Sequence, residues 1–184
     1  MSNIAYNKNV IDFVTVAVEF CAFLEKEETP SRAEWVDNML KILPLMYVKA
    51  SLLPETLAMN DEEPPTFVKE SDYVHIANRV AEIMGDEDTY LDVFVDDMKY
   101  SDTPVSAFIS ENIADIYQDV RNFVSVYQYE LTEQMNDALY ICVTTFREYW
   151  GQKLVNSLRP FHALKYSEPE TVDDTIINTE ELWD

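Results

Sequence analysis

Apolar side chains recur along this chain at alternating steps of three and four, the spacing that gathers them on one face of a helix. Val10, Phe13, Val14, Ala17, Cys21 and Leu24 form the first such stripe, and it predicts a helix from about Asn9 to Lys26. Glu27 to Pro30 breaks it. Ser31 followed three residues later by Glu34 is a capping-box pair, in which a hydroxyl and a carboxylate satisfy amides that a helix start leaves unpaired. A second helix begins there and carries Trp35, Met39, Leu43, Met46, Tyr47 and Ala50 inward. Pro44 lies within it and cannot donate a backbone hydrogen bond, so a kink is expected near Leu40 to Pro44.

The run from Leu57 to Glu70 sets Pro64 and Pro65 beside Asp61, Glu62 and Glu63 and reads as a surface loop. Ser71 is expected to cap a third helix with the stripe Val74, Ala77, Val80, Ala81 and Met84, ended by Gly85 at positive φ. Between Asp86 and Asp102, Tyr90, Leu91, Phe94, Val95 and Met98 alternate with Asp88, Asp92, Asp96 and Asp97, which suggests a short amphipathic helix. Thr103 and Pro104 are residues that start helices. The stripe Val105, Phe108, Ile109, Ile113, Ile116, Val120, Phe123, Val124 and Tyr127 then predicts a long helix. A last one carries Leu131, Met135, Leu139, Cys142, Phe146 and Tyr149 and continues past Gly151 to Leu154 and Leu158, with Pro160 expected to close it.

After residue 165 the composition changes. Glu168, Glu170, Asp173, Asp174, Glu180, Glu181 and Asp184 stand without a single Lys or Arg, and Ile176, Ile177, Leu182 and Trp183 are set among them. Such a segment reads as a mobile acidic tail able to fold onto a partner. The fold class is therefore all-α: one bundle of five or six mostly antiparallel helices over residues 1–165, followed by a tail over 166–184.

Two of the helical stretches, Val10 to Leu24 (VIDFVTVAVEFCAFL) and Leu40 to Pro54 (LKILPLMYVKASLLP), resemble the hallmark segments of a bacterial family known as domain of unknown function 5063. The resemblance covers about Asn9 to Lys165. It implies an all-helical bacterial protein with no assigned activity, and it transfers no functional residue.

Composition narrows the function classes. The 184 residues hold 35 Asp+Glu against 13 Lys+Arg, a formal net charge of −22, so the chain repels nucleic-acid phosphates and anionic lipid and attracts basic partners. Direct nucleic-acid or membrane binding is not expected. With Gly 2 in the whole chain, a P-loop or a GxGxxG fingerprint cannot be drawn. No GxSxG elbow exists, and His75 and His162 have no HExxH around them. No cofactor is expected. Cys21 and Cys142 sit on apolar stripes and read as reduced core thiols, and no signal peptide or membrane span is recognised, so cytoplasm is the expected location.

The candidate site residues are acidic. Glu111, Asp115 and Asp119 repeat at intervals of four on the long helix, and Asp88, Asp92 and Asp96 repeat the spacing upstream. Either row can accept Lys and Arg from a partner or be the solvated face of an amphipathic helix. With Trp183 of the tail, Glu111, Asp115, Asp119, Asp92 and Asp96 are the expected binding elements of a non-catalytic adaptor that recognises a basic protein. Tyr117, Tyr127, Tyr129, Tyr140, Tyr149 and Trp150 include some off-stripe positions, which either add a second kind of anchor or cap the bundle ends. An alternative from another class uses Glu25, Glu28, Glu34 and Asp37, an ExxE and an ExxD, to hold Mg²⁺ in a nucleotide or phosphoester hydrolase. A third is mimicry of nucleic acid by rows of carboxylates. His75, three residues after Asp72, makes half of a carboxylate-bridged di-metal pattern whose second half is missing.

Overall fold

The computed structural model describes residues 3–92 and 104–167. Six α-helices dominate it: α1 (Lys8–Glu25), α2 (Arg32–Ser51), α3 (Glu70–Met84), α4 (Ile109–Gln128), α5 (Met135–Thr145) and α6 (Gly151–Tyr166). A π-helical turn, Phe146–Trp150, joins α5 to α6, so the two form one continuous rod. The fold is the all-α bundle that the apolar stripes predict. α4 lies at its centre and packs on α1, α3, α5 and α6, while α2 closes against α1 and α6.

Aromatic rings join the layers. Phe13 of α1 meets Phe123 of α4 at 5.7 Å between centroids and Trp150 at 6.1 Å, and Trp35 of α2 meets Phe161 of α6 edge-on at 5.6 Å. All five are buried, in the offset and edge geometries that ring quadrupoles favour. Gly151 stands where the π turn re-enters α-helix. A Cβ there would lie 2.4 Å from the carbonyl oxygen of Phe146, so no other residue fits without displacing backbone.

Local signals explain most helix ends. The Ser31 hydroxyl accepts from the Glu34 amide at 3.3 Å, the capping interaction expected of it. The third helix starts at Glu70, one residue before the expected cap, because the Asp72 carboxylate accepts from the Lys69 amide at 2.9 Å. Gly85 closes this helix with φ 54 and ψ −129, a conformation that glycine alone adopts without strain. Arg32 also reaches across and donates from Nε to the Ile83 carbonyl at 3.0 Å.

Neither proline breaks its helix, and the expectation at Pro160 fails. α2 runs unbroken through Pro44 and α6 through Pro160, which therefore does not close the last helix. Each proline forfeits one intrahelical bond, but Leu43 and Met46 beside the first and Phe161 beside the second are fully buried. Packing of those side chains outweighs the local cost.

The segment after Gly85 is the larger correction. In place of a short amphipathic helix it forms a 3-10 turn, Gly85–Asp88, and then a strand, β1 (Thr89–Asp92), paired antiparallel with β2 (Val105–Phe108) in the register Thr89 to Phe108. Pro104 precedes a strand, and the long helix begins at Ile109. Its cap comes from a distance: buried Asp88 accepts from both the amide and the hydroxyl of Ser110 at 2.7 Å. A capping carboxylate supplied from 22 residues away competes successfully with the Thr103–Pro104 signal. Asp96 and residues 166–184 beyond Ser167 lie outside the described residues, as do Phe94, Val95 and Met98. No helix among the described residues is long and apolar enough to cross a membrane.

Candidate binding surface

α4 has neighbours on four sides, so its acidic row does not share one environment. Glu111 is exposed. Asp115 is held: Tyr73 of α3 donates its hydroxyl to Oδ1 at 2.9 Å, and the Lys153 ammonium of α6 stands 3.4 Å from Oδ2. Burial and this carboxylate raise the hydroxyl pKa of Tyr149 to about 12. Asp119, one turn on, is half-buried, and its Oδ2 has neither solvent contact nor a hydrogen-bond partner. Burial, reinforced by the neighbouring charge of Asp115, pushes its carboxyl up to about 6. The three residues therefore do not form one free row. Asp92 is half-buried on β1, and Asp96 and Trp183 lie outside the described residues.

What covers Asp119 is the long connection between α2 and α3. Residues 52–69 form a strap that the neighbouring helices bind at several points. Asp137 of α5, itself buried, accepts from the amides of Met59 at 2.7 Å and Asn60 at 2.9 Å. Burial alone would raise its pKa, but these amides and the Asn136 side chain outweigh that and hold the carboxyl below its ordinary value. Asn136 accepts from the Thr56 hydroxyl at 2.6 Å and donates to the Leu57 carbonyl at 2.8 Å. Asn60 donates to the Glu133 carbonyl at 3.1 Å, and Asn122 of α4 accepts from the amides of both Phe67 and Val68. The sequence pattern predicts a loop here, and a loop is found. Its attachment was missed because the four polar residues that fasten it belong to α4, to the start of α5 and to the strap itself. The available signal was Asn136-Asp137, two short polar side chains at the first turn of an otherwise apolar helix.

The strap roofs a cavity of about 200 Å³ over α4 and α5, with Glu63, Pro64, Pro65 and Thr66 above and Asp119, Phe123 and Cys142 below. At its outer edge the strap exposes apolar surface. Leu57 is 77% and Met59 78% exposed, beside Asp61, Glu62 and Glu63.

A larger groove of about 430 Å³ opens where α1 ends against α3 and α4. The Arg121 guanidinium lies 2.9 Å from Glu25 Oε1, and the Tyr117 hydroxyl donates to the same oxygen at 2.8 Å. Asp72 and His75 line the rim. The groove's central charges, Arg121 and Glu25, satisfy each other.

This pairing bears on the hydrolase alternative. Glu25 is occupied by Arg121, and Asp37 is bound by Lys41 at 2.6 Å and by Lys165, which together depress its carboxyl to about 2. Glu34 is an exposed residue of the first turn of α2, and Glu28 contributes its backbone carbonyl to Arg79. The four carboxylates do not converge, and no three His, Cys, Asp or Glu side chains among the described residues gather with the geometry of a metal site. Cys21 and Cys142 are both free and buried. Burial pushes the Cys21 thiol up to about 12 and raises Cys142 as well, which removes the thiolate a catalytic cysteine needs.

Comparison with known proteins agrees with the fold. A crystal structure of protein BF1032 from Bacteroides fragilis is 45% identical, covers 91% of this chain and 99% of its own, and superposes with a TM-score of 0.80. Among curated proteins none matches at a significant level. The model of the family described as a domain of unknown function, DUF5063, matches residues 4–167, nearly the whole described bundle, and the chain belongs to that family.

Proposed function

We propose that this chain is a non-catalytic protein-binding module whose acidic surface recruits a basic partner. The observation that carries the reading is where the few cations are. Lys8, Lys41, Lys49, Arg121, Arg147, Lys153 and Lys165 are paired with carboxylates of the chain itself, and Arg32 and Arg79 donate to backbone carbonyls. The excess negative charge is thus left on exposed residues such as Asp61, Glu62, Glu63, Glu130 and Glu133. A surface of that kind speeds encounter with cationic proteins and excludes anionic ones. Neither the spread carboxylates nor the protonated thiols supply a reaction centre.

Glu111 belongs to this exposed set, whereas Asp115 and Asp119 serve the interior. The test is capture of partners on tagged protein at about 0.1 M and 0.5 M salt, a range over which exposed charge attraction is progressively screened. A basic partner retained at the lower salt, released at the higher, and lost from a D61N/E62Q/E63Q variant supports the reading. Partners that ignore both salt and the substitutions overturn it.

A further inference from the structure

We infer that the docking face of this module is the outer edge of the strap, and that it takes a cationic peptide segment carrying large apolar anchors. The inference rests on the acidic-module reading and adds the place and the second half of the chemistry. Leu57 and Met59 are the two most exposed large apolar side chains among the described residues. Their backbone is tied to α5: the Leu57 carbonyl accepts from Asn136, and the Met59 and Asn60 amides donate to the buried Asp137. A segment held this way loses little freedom when a partner covers it, so burial of the two side chains goes largely into affinity.

Charge selects the occupant. Asn60 bonds the Glu133 carbonyl and so sets Asp61, Glu62 and Glu63 beside the α4–α5 turn. From Leu52 to Val68 and from Tyr129 to Phe146 the sequence holds no Lys or Arg at all. The face therefore presents two apolar side chains in a predominantly anionic surround, where the neighbouring cation Arg147 is paired with Glu55 at 2.6 Å, and it is complementary to a segment that interleaves Leu or Phe with Lys or Arg.

The experiment uses the full chain and three fluorescein-labelled peptides. One places leucines at helical spacing among lysines, one replaces its leucines with serine, and one replaces its lysines with glutamate. Affinity is read by anisotropy, and the Met59 methyl group by NMR of methionine-labelled protein. The leucine–lysine peptide is expected to bind in about 0.1 M salt, to shift the Met59 methyl but not those of buried Met39, Met46 and Met84, and to lose at least about tenfold in affinity to an L57S/M59S variant. The serine–lysine peptide is expected to bind more weakly and equally to both proteins, and the glutamate peptide not at all. If L57S/M59S binds the leucine–lysine peptide as wild type does and Met59 does not move, while binding stays salt-sensitive, the face is elsewhere and the acidic-module reading stands. If no lysine peptide binds, both fall.

Discussion

Replacing Asp119 by asparagine should stabilise the protein at neutral pH and leave it unchanged in acid. The carboxyl titrates at about 6 when folded, against an ordinary value of 3.8. Below about pH 3.8 both folded and unfolded chains carry the proton, and the group contributes nothing. Between the two values the folded chain keeps a proton that the unfolded chain releases, so stability falls as pH rises through this window, and the loss is complete above about pH 6. A difference of about 2.2 units at about 1.36 kcal/mol per unit sets a ceiling of about 3 kcal/mol. Asp119 is only half-buried, and solvent screening reduces the expectation to about 1–2 kcal/mol. Asparagine matches the neutral acid in size and carries no charge at any pH. Urea unfolding of wild type and D119N between pH 4 and pH 8 isolates the group together with its coupling to Asp115, because the titrations of groups that do not interact with it cancel in the difference. The variant should equal wild type near pH 4 and exceed it by the stated amount above pH 7, with the change centred between the two pKa values. A difference that does not vary with pH, or a variant less stable at pH 8, would refute the burial argument.

Asp137 works in the opposite direction. Its depressed carboxyl stabilises the strap above the ordinary value of 3.8 and ceases to do so as pH falls through its lower folded value, so D137N should cost about 2–4 kcal/mol at pH 7 and speed hydrogen exchange at the Met59 and Asn60 amides. Glu130 sits at φ 53 just beyond α4, where Leu131 donates to the Val126 carbonyl and Glu130 to that of Tyr127, the bonding of a Schellman ending. E130G should raise stability by about 0.5–1 kcal/mol, measured by the same urea unfolding. G151A should lower it by about 1–3 kcal/mol, since its methyl would meet the Phe146 carbonyl at the π turn, and the loss of melting temperature checks this.

The helices were readable because each buries a periodic stripe, and most stripe residues of α1, α2 and α4 are buried, whereas Tyr47, expected inward, is exposed, as are Val105 and Phe108, which belong to β2. What was hidden depends on contacts between distant parts of the chain. Asp88 caps α4 across the hairpin, so the local Thr103–Pro104 signal pointed to a start several residues too early. Phe161 anchors α6 beyond a proline that sequence alone reads as a stop. The acidic row of α4 looked like a solvated or binding face because one apolar stripe implies one buried side. A central helix is covered on several sides, and there Asp115 becomes an internal hydrogen-bond acceptor and Asp119 a carboxyl without a partner. For the strap, composition predicted a loop but not the Asn122, Asn136 and Asp137 side chains that fasten it.

The central claim is that the module binds through exposed negative charge that its own cations leave unpaired. Titration of the leucine–lysine peptide against wild type and D61N/E62Q/E63Q across salt tests it most directly. Affinity in wild type should fall steeply from about 0.1 M to about 0.5 M salt, and the neutralised variant should bind more weakly with a visibly shallower salt dependence. Identical salt profiles for the two proteins would contradict the claim.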